Sequence, residues 1–217
     1  MAEKVNTRSY DSPRRQAQAA ATRSSVIDAA RDLFAAHGYS ATTVAAIAQK
    51  AGVSVDTVYT CVGRKPELIL AVIDAELGGS DAQQRGYVKA IQEQQSAKAK
   101  LAVYAEAVAR RVPRIAPLQE ALRKAGETDP ACAKAWQQLV NRRAANMLAF
   151  AADLRSTGDL RDDLSDTQVA DLIWSTNAAE YWLLLKQRGW SRKRYERLLV
   201  DMWTRMVLAE EVEQHPR

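Results

Sequence analysis

The chain is expected to be all-α, and three observations say so. Apolar residues recur at three- and four-residue spacing through most of its 217 positions, as on one face of a helix. No alternation of β type extends over any length. Gly, Pro, Asp and hydroxyl residues sit where such helices would start and stop. The spacing further predicts a cluster of short helices up to about residue 66, followed by a larger helical body.

In the first cluster, Val26, Ile27, Ala30, Leu33 and Phe34 form one stripe, and His37-Gly38 closes it; glycine can adopt the left-handed conformation beyond a helix end. Thr43 is placed to cap a second helix, with Val44, Ile47, Ala48 and Ala51 facing inward. Gly52 supplies a sharp turn, and Ser54 caps a short third helix. Pro66 suits the start of a fourth, with Glu67 near its positive end, and Gly78-Gly79 ends or kinks it. Further helices are expected at roughly 84–95, 97–112, 114–126, 130–156, 166–187 and 191–211. Asp129-Pro130 supplies a cap and a first-turn proline, and Ser165-x-x-Gln168 is a capping box. Residues 1–20 lack hydrophobic periodicity and are expected to form a flexible basic arm. The domains are therefore 1–20, 21–66 and 67–217.

The formal net charge of +5 is unevenly spread. Residues 1–65 hold nine Lys and Arg against five Asp and Glu, whereas residues 66–217 hold 22 against 21. A basic excess over the short helices suits a polyanion partner, though a solvated basic tail gives the same count. Cys61 and Cys132 are too few for a disulfide framework or zinc site. No apolar run approaches the ~20 residues of a membrane span, and no signal core opens the chain. A cytoplasmic protein without membrane attachment is expected.

The second and third helices suit a helix-turn-helix. One can lie over phosphates while the other enters the major groove with its N-terminal side chains nearest the bases. The order of residues is more specific. Ala29-Ala30, Leu33-Phe34, Gly38-Tyr39, Thr42-Thr43-Val44, Ile47-Ala48, Ala51-Gly52-Val53-Ser54, Thr57-Val58-Tyr59 and Lys65 closely resemble the TetR family of bacterial transcriptional regulators. More loosely, Asp171 to Trp174 and Arg188 to Tyr195 resemble its last two helices.

The resemblance implies a homodimer with one DNA reader per subunit, a roughly palindromic double-stranded operator, and a small-molecule effector that releases a repressor. Thr43 and Lys65 match phosphate contacts, and Tyr59 matches an aromatic that packs and touches the backbone; the alternative for Tyr59 is pure core. Ser54, Val55, Asp56 and Thr57 occupy the first turn of the recognition helix. Val55 can meet a thymine methyl, and Thr57 a base or phosphate. Asp56 either accepts from cytosine or only favours the helix dipole. Cys61 stands where the family has His or Tyr, so one phosphate contact is in doubt. Ala45 and Ala46 offer no long polar side chain, which leaves Arg8, Arg14 and Arg15 to track phosphates or to form a mere solubilising tail.

In the body, Tyr104, Glu106, Arg110, Trp136, Asn146, Met147, Phe150 and Trp174 are the candidate effector site: large apolar groups with a few polar ones. The last helices are rich in apolar residues that must cover something, either inside one subunit or between two. With the resemblance, Tyr181, Trp182, Leu199, Met202, Trp203 and Met206 become the expected dimer interface. Neither a cofactor nor catalysis is expected. His37 and His215 are the only histidines, and no metalloprotease motif, phosphate loop or nucleophile elbow occurs. The rival reading is a ligand-independent or protein-controlled DNA binder with no cavity in its body.

Overall fold

The computed structural model describes residues 13–78 and 81–209. In chain order the helices are α1 Pro13–Ala41, α2 Val44–Ala51, α3 Val55–Cys61, α4 Lys65–Gly78, α5 Asp81–Gln92, α6 Ala97–Ala125, α7 Pro130–Arg155, α8 Asp166–Thr176, α9 Ala179–Gln187 and α10 Arg192–Val207. The fold is all-α; extended pairing among the described residues is confined to one isolated bridge between Leu160 and Leu208. None of the described helices is long and apolar enough to cross a membrane. The chain divides into two compact units, Met1–Val72 and Ile73–Arg217, so the division falls inside α4.

In the first unit, Val26, Ala30, Phe34, Ile47, Val58 and Leu68 are buried. Helix α1 starts at Pro13, so Arg14 and Arg15 are exposed helical residues and not part of an irregular arm. Arg8 lies outside the described residues. The segment Arg14–Arg23 has no apolar stripe, but it is rich in Ala, Gln and Arg, which favour the helix intrinsically, and proline suits a first helical position. Gly38, at φ 76° and ψ 168°, breaks the helical path near the end of α1. Below it, the buried Thr42 hydroxyl lies 2.8 Å from the Gly38 carbonyl and 3.2 Å from that of Leu33.

The second unit is built on α6, which packs against α5, α7, α9 and α10. Two helices divided near residue 113 were expected here, yet α6 runs through both Pro113 and Pro117. Each proline removes a backbone donor. The helix continues because Val112, Ile115 and Ala116, on either side of them, are buried, and packing outweighs the lost bonds. The reverse occurs downstream: the single helix expected over 166–187 breaks at Asn177 and Ala178, the latter extended at φ −69° and ψ 153°.

Helix α10 inserts Tyr195, Leu199, Trp203 and Val207 fully into the core. The Trp203 indole N–H donates to the Thr176 hydroxyl at 2.7 Å, and the Tyr195 hydroxyl reaches the Thr176 carbonyl at 3.4 Å. Trp182, Leu199 and Trp203, expected at a subunit interface, therefore face the interior of their own chain. The apolar stripe of α10 is wider than one contact. Its four-residue row turns inward, while Met202 and Met206, with Tyr181 of α9, remain half-buried at the edge. The end of α10 is held by Arg161 N–H donating to the Val207 carbonyl (3.0 Å) and Ala209 N–H to that of Asp159 (2.9 Å). Asp159 in turn accepts from the Ala97 N–H at 2.7 Å, tying the start of α6 to the same corner.

Replacing Trp203 by Ala is expected to lower the unfolding free energy by ~3–5 kcal/mol, the range for a large aromatic deleted from a packed core. Urea denaturation checks this; a loss below about 1 kcal/mol would mean that the Trp203 site collapses or is not well packed.

Candidate nucleic-acid interface and effector cavity

The turn between α2 and α3 is closed at both ends by local hydrogen bonds. Thr43 Oγ1 accepts from the Ala46 N–H at 3.1 Å, capping α2. Gly52 takes φ 69° and its N–H returns to the α2 carbonyls, a left-handed exit that favours glycine. Ser54 Oγ accepts from the Thr57 N–H at 3.1 Å and lies 2.8 Å from Thr57 Oγ1. The α3 N-terminus thus carries a coupled pair of hydroxyls.

Thr43, Ser54, Asp56 and Tyr59 are exposed, and Val55 and Thr57 are half-buried. Tyr59 is 47% exposed, which removes the alternative that it is pure core. Lys65 is held differently from a free surface cation. Its ammonium donates to the Ser40 carbonyl at 3.2 Å and sits 4.4 Å from the centre of the Tyr39 ring. Lys50, on α2, is paired with Asp32 at 3.1 Å.

Within the second unit lies a cavity of about 690 Å³. Tyr104, Asn146, Met147 and Phe150 line it, as grouped from the sequence. Glu106 and Arg110, 3.8 Å apart, instead border a smaller cavity of about 540 Å³. Trp136 and Trp174 line neither. Trp174 is kept from the lumen by Arg143, whose guanidinium lies 5.2 Å from the indole centre and donates to the Trp174 carbonyl at 3.1 Å.

The larger cavity also contains Tyr87, Arg111, Arg143 and Asn177, none of which stood out in the sequence. Asn177 is buried and joins three elements. Its Nδ2 donates to the Tyr104 hydroxyl at 2.7 Å, and its Oδ1 accepts from Arg143 at 2.7 Å. Tyr104 stacks on Trp203 at 5.5 Å and meets Phe150 at 4.7 Å. Burial pushes the Tyr104 phenol up to about 12, against which Arg143 and the Asn177 hydrogen bond act. Burial raises Tyr87 and Tyr195 as well, so all three phenols are neutral donors at ordinary pH.

Residues 26–72 match the family model of the bacterial regulatory proteins, tetR family. Over these residues the chain carries the DNA-binding domain of the TetR family. That domain is the one found in bacterial regulatory proteins of this family, which supports a DNA-binding regulator. A search of curated proteins finds no match. Solved structures share the fold over nearly the whole chain. A TetR-family regulator from Rhodococcus aligns at 16% identity over 88% of this chain and 100% of its own, with a TM-score of 0.68. A transcriptional regulator from Saccharomonospora viridis in complex with choline gives 15% identity, 88% and 99% coverage and a TM-score of 0.67. FadR from Bacillus subtilis in complex with stearoyl-CoA gives 18%, 83% and 96%, and 0.63.

The raised Tyr104 phenol has a thermodynamic consequence. An unfolded tyrosine ionises near its ordinary value of 10.0, whereas Tyr104 keeps its proton to about 12. Its contribution is fully present below pH 10 and is lost as pH rises from 10 toward 12. Tyr104→Phe is expected to flatten that decline, leaving the part due to Tyr87 and Tyr195. Urea unfolding at stepped alkaline pH reads the difference, and an unchanged slope would show that Tyr104 is not shielded.

Proposed function

We propose that the chain is a homodimeric repressor that leaves a palindromic operator when a small molecule enters the second unit. The observation that carries this reading is a cavity of about 690 Å³ on a chain with a TetR-family helix-turn-helix. Its size suits a small organic ligand. The bound choline and stearoyl-CoA of the two relatives of similar fold support the same reading.

On the DNA side, Thr43 and Lys65 hold phosphates, Tyr59 touches the backbone, and Ser54, Val55, Asp56 and Thr57 present the recognition face of α3. The exposure of Thr43, Ser54, Asp56 and Tyr59 supports this set. Among them, Val55 and Thr57 carry sequence preference through a methyl contact and a hydroxyl. A subunit pairing through α9 and α10 is supported by Leu184, 61% exposed, and by the half-buried Tyr181, Met202 and Met206. Two readers one helical turn of DNA apart bind together only at the right spacing. An effector weakens binding by its differential affinity for the two spacings.

Footprinting on the chain's own upstream region, with a salt titration, tests the reading: a protected inverted repeat is expected, and uniform protection without a preferred site would oppose it. Lys65→Ala should weaken binding to every sequence and lower the salt slope by about one. An unchanged slope would remove Lys65 from the phosphate contacts. Leu184→Glu combined with Met202→Glu is expected to yield monomers in sedimentation; a dimer persisting through both would place the subunit contact elsewhere.

A further inference from the structure

The charges around the larger cavity do not balance. Two carboxylates reach it, and each is already neutralised by the protein. Asp74 is paired with Arg142, and Asp153 accepts twice from the buried Lys100 ammonium, at 2.7 and 2.8 Å. Two guanidinium groups are not neutralised. Among the described residues, neither Arg111 nor Arg143 has a carboxylate within ion-pair distance. Glu180 acts on Arg143 only through space.

Arg143 is the more telling of the two. A guanidinium has five N–H donors in a planar fork. Here only Nη2 is used, by the Trp174 carbonyl and Asn177 Oδ1. Among the described residues Nε and Nη1 have no acceptor, and Arg143 lines the lumen. Burial works against its charge, and a cation withdrawn from water without a counter-charge is costly. Arg111 repeats the pattern more openly: it lies 4.3 Å from the centre of the Tyr87 ring, beside Arg110 and Arg114, which add like charge. The rest of the lining combines apolar and aromatic side chains, among them Tyr104, Met147 and Phe150, with uncharged polar ones, Gln92, Gln119, Asn146 and Asn177.

Building on the effector reading above, we propose that the cavity takes an organic anion, an apolar or aromatic body bearing a carboxylate, sulfonate or similar group that pairs with Arg143. With Nη2 engaged, the Nε–H or Nη1–H of that guanidinium donates to the anion in a one-point, charge-assisted contact. Asn177 and the Trp174 carbonyl hold the guanidinium in place. Arg111 supplies a second positive group along the same wall and discriminates against organic cations.

The test compares two fluorescent probes of one shape on the full-length protein. 1-Anilinonaphthalene-8-sulfonate carries the anion; N-phenyl-1-naphthylamine has the same aromatic body without it. The expected result is one sulfonate probe per chain, bound at least tenfold more tightly than the neutral one. Arg143→Gln should weaken the sulfonate probe tenfold or more and leave the neutral probe within twofold; Arg143→Lys should retain part of the preference. Circular dichroism checks the fold of each variant. If Arg143→Gln does not fold, Arg111→Gln on its more open site supplies the same comparison, with a smaller loss expected for the sulfonate probe alone. Equal binding of both probes by the wild type, or equal weakening of both by the substitution, would overturn the anion proposal and leave the effector cavity standing. Binding of neither probe would remove the cavity reading along with it.

Discussion

Helix α6 meets two opposed demands, and the second unit is shaped by how it does so. Its small and branched residues, such as Ala105, Ala109 and Ala116, are buried and let neighbouring helices approach closely. On adjacent turns Tyr104, Ala107 and Arg111 wall the cavity. A helix fully packed on every side would leave no cavity, and one exposed along a whole face would not hold the core. Tyr104 sits at the boundary between these roles, stacked on the buried Trp203 behind and open to the lumen in front. The cavity is thereby backed by the largest side chain of the core, and its shape depends on the insertion of α10.

Charge is handled by the same economy. Lys100 and Asp153 neutralise each other, as do Arg142 and Asp74, so four charged groups near the cavity add little net field. The field that remains comes from Arg111 and Arg143. In the DNA-binding unit the pattern differs, since Lys50 is paired with Asp32 and Lys65 leans on a ring and a carbonyl.

The DNA-binding unit was legible because its signals are local. Thr43 and Ser54 cap within three residues, and Gly52 turns within one. The helical class of the body could also be read from apolar spacing, but the cavity only in half: of the eight residues grouped, Tyr104, Asn146, Met147 and Phe150 line it and Glu106, Arg110, Trp136 and Trp174 do not. What could not be read is set by distance along the chain. Arg143 meets Asn177 across 34 residues, and Asn177 meets Tyr104 across 73, separations at which periodicity is silent. The α8–α9 break was hidden because apolar residues surround that segment on almost every face. The early start of α1 was missed for the opposite reason, since a helix held by intrinsic propensity leaves no stripe. The inward turn of Leu199 and Trp203 escaped because one stripe predicts a contact but not which partner makes it.

The aromatic packing also gives this chain an optical property. Of its five tryptophans, Trp174 lies under the Arg143 guanidinium with its indole N–H buried and without an acceptor. Trp203 stacks directly on the cavity wall. The emission of an indole shifts with the electric field across its ring, and a guanidinium 5.2 Å away is a strong local source of that field. The two indoles therefore differ in colour by construction, Trp174 tuned by a neighbouring charge and Trp203 by a stacked phenol.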